Sequence, residues 1–261
     1  MNTALTIGVS DCSGGAGIQA DLKVFTVLGV YGMAAVTAIF SRNTTGNRGM
    51  TVLDESIMLS QIQAIAEDLP VGAVKTAYLS TRMIGTVAEA IRSHALDRYV
   101  CDPVLELQGV APDAAAVHAY RQELLPMASV VTPNRSEAAL LANMEIEQLG
   151  TMAGAQKAAE KIMRTGCRAI VIKGMMTGEK VTDLFFDGQE FIEFHAKRLN
   201  TKNTYGAGSL FSAILTAMLA QEIELRTAVD HARSFVSQAI EHHVKIGGGV
   251  RPVNVLALTP Q

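Results

Sequence analysis

Asn203-Thr-Tyr-Gly-Ala-Gly-Ser-Leu-Phe-Ser212 runs directly into Ala213-Ile-Leu-Thr-Ala-Met-Leu-Ala220. Gly206, Ala207 and Gly208 are small enough for a ligand to approach the backbone, and they open an apolar stretch of helical character. The start of a helix carries amide groups without partners and the positive end of the helix dipole, so it suits an anion. Such a turn can hold a phosphoryl group and stabilise charge that grows as it transfers. An ordinary loop-to-helix turn would have the same composition, so the remainder of the chain must decide between the two.

Upstream, Ala4-Leu-Thr-Ile-Gly-Val9 reads as a buried strand, and Ser10-Asp-Cys-Ser-Gly-Gly-Ala-Gly17 as a small-residue loop. Ile18, Leu22, Phe25 and Leu28 then recur at helical spacing up to Gly29. Strands are expected at 34–40, 72–78, 98–102, 128–132 and 169–173, alternating with helices at 53–67, 83–94, 114–125, 137–143 and 152–165. That alternation specifies a parallel sheet covered on both faces. Asp187-Gly188 between two aromatic-rich runs signals a hairpin, and helices near 207–221 and 224–243 finish the chain. The expectation is one α/β domain over residues 1–261, a three-layer αβα sandwich with a mostly parallel central sheet and a small hairpin or flap.

Apolar residues make up 49% of the 261 and charged residues 18%, enough material for a large core. A formal charge of −3 gives no basic field for nucleic acid, and no apolar run reaches the length of a membrane span. From three scattered cysteines (Cys12, Cys101 and Cys167) and an N-terminus without a basic or long apolar region, a reducing cytoplasm is expected. Histidines lack i,i+4 spacing, which argues against a protein-built zinc site.

Ligands of open α/β sheets sit beyond the carboxyl ends of the strands. The polar clusters Asp11–Gly17, Ser41–Gly46, Tyr78, Asp102, Asn134–Glu137, Lys173 and the 203–209 turn are all expected at that edge.

The chain resembles the hydroxymethylpyrimidine (phosphate) kinase and pyridoxal kinase branch of the ribokinase-like family. The resemblance rests on Ser10-Asp-Cys-Ser-Gly-Gly-Ala-Gly-Ile-Gln-Ala-Asp-Leu-Lys23, Val30-Tyr-Gly32, Cys101-Asp-Pro-Val104, Val131-Thr-Pro-Asn-Arg-Ser-Glu137, Val171-Ile-Lys-Gly174 and Thr201-Lys-Asn-Thr-Tyr-Gly-Ala-Gly208. It implies ATP as phosphoryl donor, Mg2+, a pyrimidine or B6-vitamer alcohol as acceptor, and a homodimer. By residue, it implies that Gly206, Ala207, Gly208 and Ser209 form the catalytic turn, and that Lys173, Asn134 and Thr204 handle the nucleotide. Asn134, Glu137 and Asp102 would serve the magnesium, while Ala16, Asp21, Arg42 and Tyr78 line the acceptor pocket. Alone, Asn134-x-x-Glu137 reads equally well as a helix cap, Lys173 as a strand end, Asp21 as an exposed helix acid and Tyr78 as core.

Several positions depart from the family pattern. Arg42 stands where Gln or Glu is usual; a pure donor cannot accept from an amino group, so it is expected to pair with Asp21 or to bind an acceptor's phosphate. Tyr78 replaces a methionine and offers a ring to stack on. Met175-Met176 replaces a glycine and a histidine after Lys173. Ser209 replaces the usual Asp or Cys base, and a serine hydroxyl needs a neighbouring base to take up a proton. Slow turnover, a sugar or nucleoside kinase, and a non-catalytic binding protein are the alternatives this leaves open. Gly247-Gly-Gly-Val-Arg-Pro-Val253 resembles the family's C-terminal glycine-proline turn and is expected beside the nucleotide pocket.

Overall fold

A computed structural model describes residues 1–107 and 113–258. Nine strands form one sheet in the order β3-β2-β1-β4-β5-β6-β7-β8-β9. They are β1 (Thr3–Asp11), β2 (Tyr31–Asn43), β3 (Gly46–Val52), β4 (Ala73–Thr76), β5 (Tyr99–Cys101), β6 (Val130–Val131), β7 (Ile170–Thr177), β8 (Lys180–Phe186) and β9 (Phe191–Lys197). From β2 to β7 every neighbouring pair is parallel, while β3, β8 and β9 are antiparallel additions at the two edges. β1 pairs with β2 on one side and β4 on the other, so the order of winding reverses at β1. A crevice at the carboxyl end of the strands is expected at such a reversal.

Alternation along the buried strands sends side chains to two cores. Leu5 and Ile7 of β1 join Met58 and Ile62 of α2 (Glu55–Ala66), Val87 and Ile91 of α3 (Thr81–Ser93), and residues of α5 (Arg135–Ala142) and α6 (Met152–Met163). Ala4, Val100 and Val171 point the other way, onto α1 (Gly17–Val27), α7 (Ala207–Ala220) and α8 (Leu225–Glu241). The three layers are those expected. α7 is apolar nearly all round because it lies between the sheet and α8, and ten of its residues are buried.

Two local expectations change. The strand expected at 34–40 spans Tyr31–Asn43 and turns into β3, so the polar cluster Ser41–Gly46 belongs to a hairpin. β3 has no buried residue, so its sequence lacks the apolar signature of a strand. The expected helix 114–125 is α4 (Ala114–Ala119) followed by a π turn over Tyr120–Leu124 and a 3₁₀ turn at Leu125–Met127, which contains Pro126. The 247–253 segment bridges the β2–β3 turn and the 203–206 turn: Val250 donates to the Thr44 carbonyl at 3.0 Å, Gly249 to Thr44 Oγ1 at 3.3 Å and Val253 to the Tyr205 carbonyl at 3.0 Å. Among the described residues no helix is long and apolar enough to cross a membrane.

Candidate active site

The cleft is assembled from loops that follow β1, β2, β4, β5, β6 and β7, closed by the N-terminus of α7. Gly206 has φ +86°, and a Cβ there would stand 1.9 Å from the Gly15 carbonyl oxygen. Only glycine permits both this backbone and the close approach of the two loops. A cavity of about 690 Å³ results, lined by Ala16, Gly17, Arg42, Tyr78, Asp102, Asn134, Glu137, Lys173 and Gly206 to Ser209, among others. That volume suits a small ligand. The segments expected to converge therefore do so, with two exceptions among the named residues: Asp21 and Thr204 lie outside the lining.

The α7 turn is partly committed. The Ala207 amide donates to the Thr204 carbonyl at 3.1 Å, which is the role of Thr204 here. The Gly206, Gly208 and Ser209 amides have no acceptor among the described residues, so three of the four are left, and the two that belong to α7 itself, Gly208 and Ser209, carry the positive end of its dipole toward an anion. Lys173 stands beside them, its ammonium 3.7 Å from where a Cβ on Gly208 would be. It is placed by its amide, which donates to the Pro133 carbonyl at 2.8 Å, and it is nearly buried. Its partner is Asp102 at 2.9 Å, and Asp102 also accepts from Thr132 and Ser212. Burial opposes the Asp102 charge, but Lys173, Lys75 and these hydrogen bonds outweigh it and hold the carboxyl below its ordinary value.

Asn134 and Glu137 form a reciprocal cap on α5. Asn134 Oδ1 accepts from the Glu137 amide at 2.9 Å, and Glu137 Oε2 accepts from the Asn134 amide at 2.8 Å. Capping is thus the structural task of the pair, and it leaves the second Glu137 oxygen to the cavity. Burial pushes the Glu137 carboxyl up to about 8; Lys173 draws it down and the Asp102 charge raises it. Among the described residues no cluster of three or more His, Cys, Asp or Glu could cage a metal. Two carboxylates facing one cavity next to a turn with unpaired amides nevertheless fit Mg2+, which takes few protein ligands and keeps several waters.

Elsewhere on the cavity wall, Arg42 lies across Tyr205, its guanidinium carbon 4.1 Å from the ring centre, with the Phe40 ring at 5.3 Å. Cys12 fixes its backbone on both sides: the Arg42 amide donates to Cys12 Sγ at 3.4 Å, and the thiol donates to the Arg42 carbonyl at 3.2 Å. Arg42 Nε is buried without a partner, and the guanidinium has no ion pair among the described residues. Pairing with Asp21, one of the two expectations, does not occur. Tyr205 in turn donates to Asp11, whose carboxylate also accepts from Ser13. Tyr78 and Ala16 complete the wall.

Asp21 corrects the expectation most. It is neither exposed nor part of the acceptor wall but wholly buried behind Ser209. Oδ1 accepts from Lys75 at 2.6 Å and from Ser209 Oγ at 2.9 Å, and Oδ2 accepts from Thr6 at 2.7 Å. Lys75, fully buried in the middle of β4, was not foreseen as part of the site. Its sequence signal is a lysine inside the apolar run Gly72-Ala-Val-Lys-Thr-Ala77, because a buried ammonium requires a partner. Arg233 and Asp183, an ion pair at 3.2 Å lining the same cavity, were also missed; nothing in their local sequence sets them apart.

A reversed sheet winding with phosphate-type amides at its carboxyl edge defines an α/β protein of the ribokinase-like kind. The family model for phosphomethylpyrimidine kinase matches residues 11–254, and the chain belongs to that family. A hydroxymethylpyrimidine/phosphomethylpyrimidine kinase of Rhizobium meliloti (strain 1021) is 42% identical over 259 residues, 96% of each chain. A crystal structure of an ADP complex of Bacillus subtilis pyridoxal kinase superposes with a TM-score of 0.92 at 35% identity, over 99% of this chain and 98% of that one. The Staphylococcus aureus pyridoxal kinase in complex with AMP-PCP and pyridoxal gives 0.91 at 32% identity, over 98% and 94%.

Proposed function

We propose that the chain transfers a phosphoryl group from ATP, with Mg2+, to the hydroxymethyl group of 4-amino-5-hydroxymethyl-2-methylpyrimidine and of its monophosphate, as in thiamine biosynthesis. The observation that carries this reading is the convergence, in one cavity, of the free Gly208 and Ser209 amides with Lys173 on one side and the Arg42–Tyr78 wall on the other. Phosphoryl transfer depends chiefly on positioning and charge neutralisation, and these are the groups that supply both.

In this reading Lys173 and the two amides hold the transferring phosphoryl. Asp102 and Glu137 hold the magnesium with its waters, and Asn134 serves by fixing Glu137. The metal supplies neutralisation of phosphate charge when bound. Ala16, Arg42 and Tyr78 enclose the acceptor ring. A guanidinium with no internal counter-charge suits an acceptor that carries a phosphate, which favours the monophosphate. The second reading is a B6-vitamer kinase, favoured by the likeness to two pyridoxal kinases at TM-scores of 0.92 and 0.91.

ATP consumption measured with hydroxymethylpyrimidine, its monophosphate and pyridoxal separates the readings. Turnover of the pyrimidines is the expected result. Turnover of pyridoxal alone would favour the second reading, and binding of nucleotide with no product from any acceptor would leave a non-catalytic binding protein.

A further inference from the structure

Phosphorylation of an alcohol releases a proton, and the residue nearest the α7 turn that could receive it is a serine. The structure places a carboxylate directly behind that serine. Ser209 Oγ donates to Asp21 Oδ1 at 2.9 Å, and Lys75 Nζ donates to Ser209 Oγ at 3.1 Å. A hydroxyl has one hydrogen and two lone pairs. Here the hydrogen is spent on Asp21 and one lone pair on Lys75, so the remaining lone pair is the one left for the cavity that Ser209 lines.

The rest of the unit is rigid. Lys75 uses its three donors on Asp21 Oδ1, Ser209 Oγ and the Ser209 carbonyl at 3.3 Å. Thr6 occupies Asp21 Oδ2 from the far side. Asp21 and Lys75 are both 0% exposed, so no water competes for the carboxylate. A surface serine whose hydroxyl turned freely would have none of these properties.

We propose that Ser209 and Asp21 form a two-step proton relay for the kinase reaction, with Lys75 holding the relay in register. This rests on the kinase reading above. As the acceptor oxygen bonds to the γ-phosphorus of ATP, the bond from that phosphorus to the ADP oxygen breaks. The acceptor O–H breaks in the same event and its proton passes to Ser209 Oγ. The proton originally on Ser209 Oγ passes to Asp21 Oδ1, leaving a neutral carboxyl beside the Lys75 ammonium. Ser209 touches the acceptor; Asp21 acts only through it and is a positioning and proton-holding residue.

A relay works as one unit, and that decides the test. Steady-state kcat and KM are measured for the wild type, Ser209→Ala, Asp21→Asn and the double variant with the acceptor that turns over best. Each single substitution is expected to lower kcat by about 10²-fold, within the range of general-base help, with the KM for ATP unchanged. The double variant is expected to match either single one, because removing both halves of one unit costs no more than removing one. Asp21→Asn with Ser209→Asp is expected to recover at least about tenfold, since it places a carboxylate directly at the acceptor.

If Asp21→Asn alone does not fold, Asp21→Asn with Lys75→Met leaves no buried unpaired ammonium and must show the same loss of kcat. The relay is wrong if Ser209→Ala keeps the wild-type kcat. It is equally wrong if the losses multiply, or if the neutral Asp21→Asn/Lys75→Met pair turns over normally. A wild type inactive on all three acceptors sinks the kinase reading and the relay with it. An active wild type with independent losses sinks the relay alone.

Discussion

The Lys75 ammonium lies 2.6 Å from the Asp21 carboxylate, and neither side chain has any exposure to solvent. Removing one member of such a pair leaves a buried charge without compensation and typically costs about 3–5 kcal/mol. Urea unfolding of Lys75→Met is therefore expected to show a loss of that size. The combined Asp21→Asn/Lys75→Met variant should be the more stable of the two, since no charge is left behind. Equal stability of Lys75→Met and wild type would show that the pair does not hold this part of the sheet.

The sequence revealed the scaffold of the site more completely than its interior. Alternating apolar runs and helical spacings were readable because burial imposes them locally: Ile18, Leu22 and Phe25 on α1, or the hairpin around Asp187-Gly188. The cavity-lining residues also followed from one rule, that polar clusters after strands meet at the carboxyl edge. What was not readable involves partners far apart in the chain. Lys75 announces that it needs a counter-charge, but the choice of Asp21, 54 residues earlier, depends on β1 lying next to β4. Likewise β3 is a solvent-facing edge strand whose residues carry no apolar period, so the hairpin that presents Arg42 leaves no signal in the sequence.

Arg42 has no counter-charge of its own, so its contribution should depend on the charge of the acceptor. Charge-assisted hydrogen bonds contribute about 1.5–3 kcal/mol. Arg42→Gln is expected to lower kcat/KM for hydroxymethylpyrimidine monophosphate by roughly 10- to 100-fold, and for the unphosphorylated alcohol by much less. Parallel assays of the two acceptors give the comparison. Equal losses on both would assign Arg42 to packing on Tyr205 instead.

Lys173 pairs with Asp102 and stands beside the free Gly208 and Ser209 amides, where the proposed reaction places the transferring phosphoryl. Lys173→Ala is expected to lower kcat by about 10²–10³-fold, the usual effect of deleting a group aimed at developing charge. Single-turnover transfer rates at saturating ATP would isolate this from weaker nucleotide binding. An unchanged rate constant with only a raised KM would mean that Lys173 binds the ground state alone.

Gly206 is the point where two loops of the cleft meet, with φ +86° and the Gly15 carbonyl where a Cβ would lie. Gly206→Ala must therefore both strain the backbone, at about 1–3 kcal/mol, and push apart the two loops that close the cavity. The melting temperature and kcat should fall together. A control at Gly188, also left-handed (φ +89°) but with nothing near its Cβ, should cost stability without touching kcat. Loss of kcat in both variants would remove the argument for a close loop contact.

Burial raises the Glu137 carboxyl from 4.5 to about 8, and this makes the stability of the metal-free protein depend on pH. Between those values the folded chain keeps a proton that the unfolded chain has already lost. Stability should therefore fall as pH rises through that interval, by at most about 1.4 kcal/mol per unit, and level off above pH 8. Asp102, held below its ordinary value, acts in the opposite sense but only on acidification below that interval. Urea unfolding at intervals from pH 5 to 9 in the presence of a chelator should show the decline in the wild type and a flatter profile in Glu137→Gln. Parallel profiles for the two proteins would mean that Glu137 ionises normally in the folded chain.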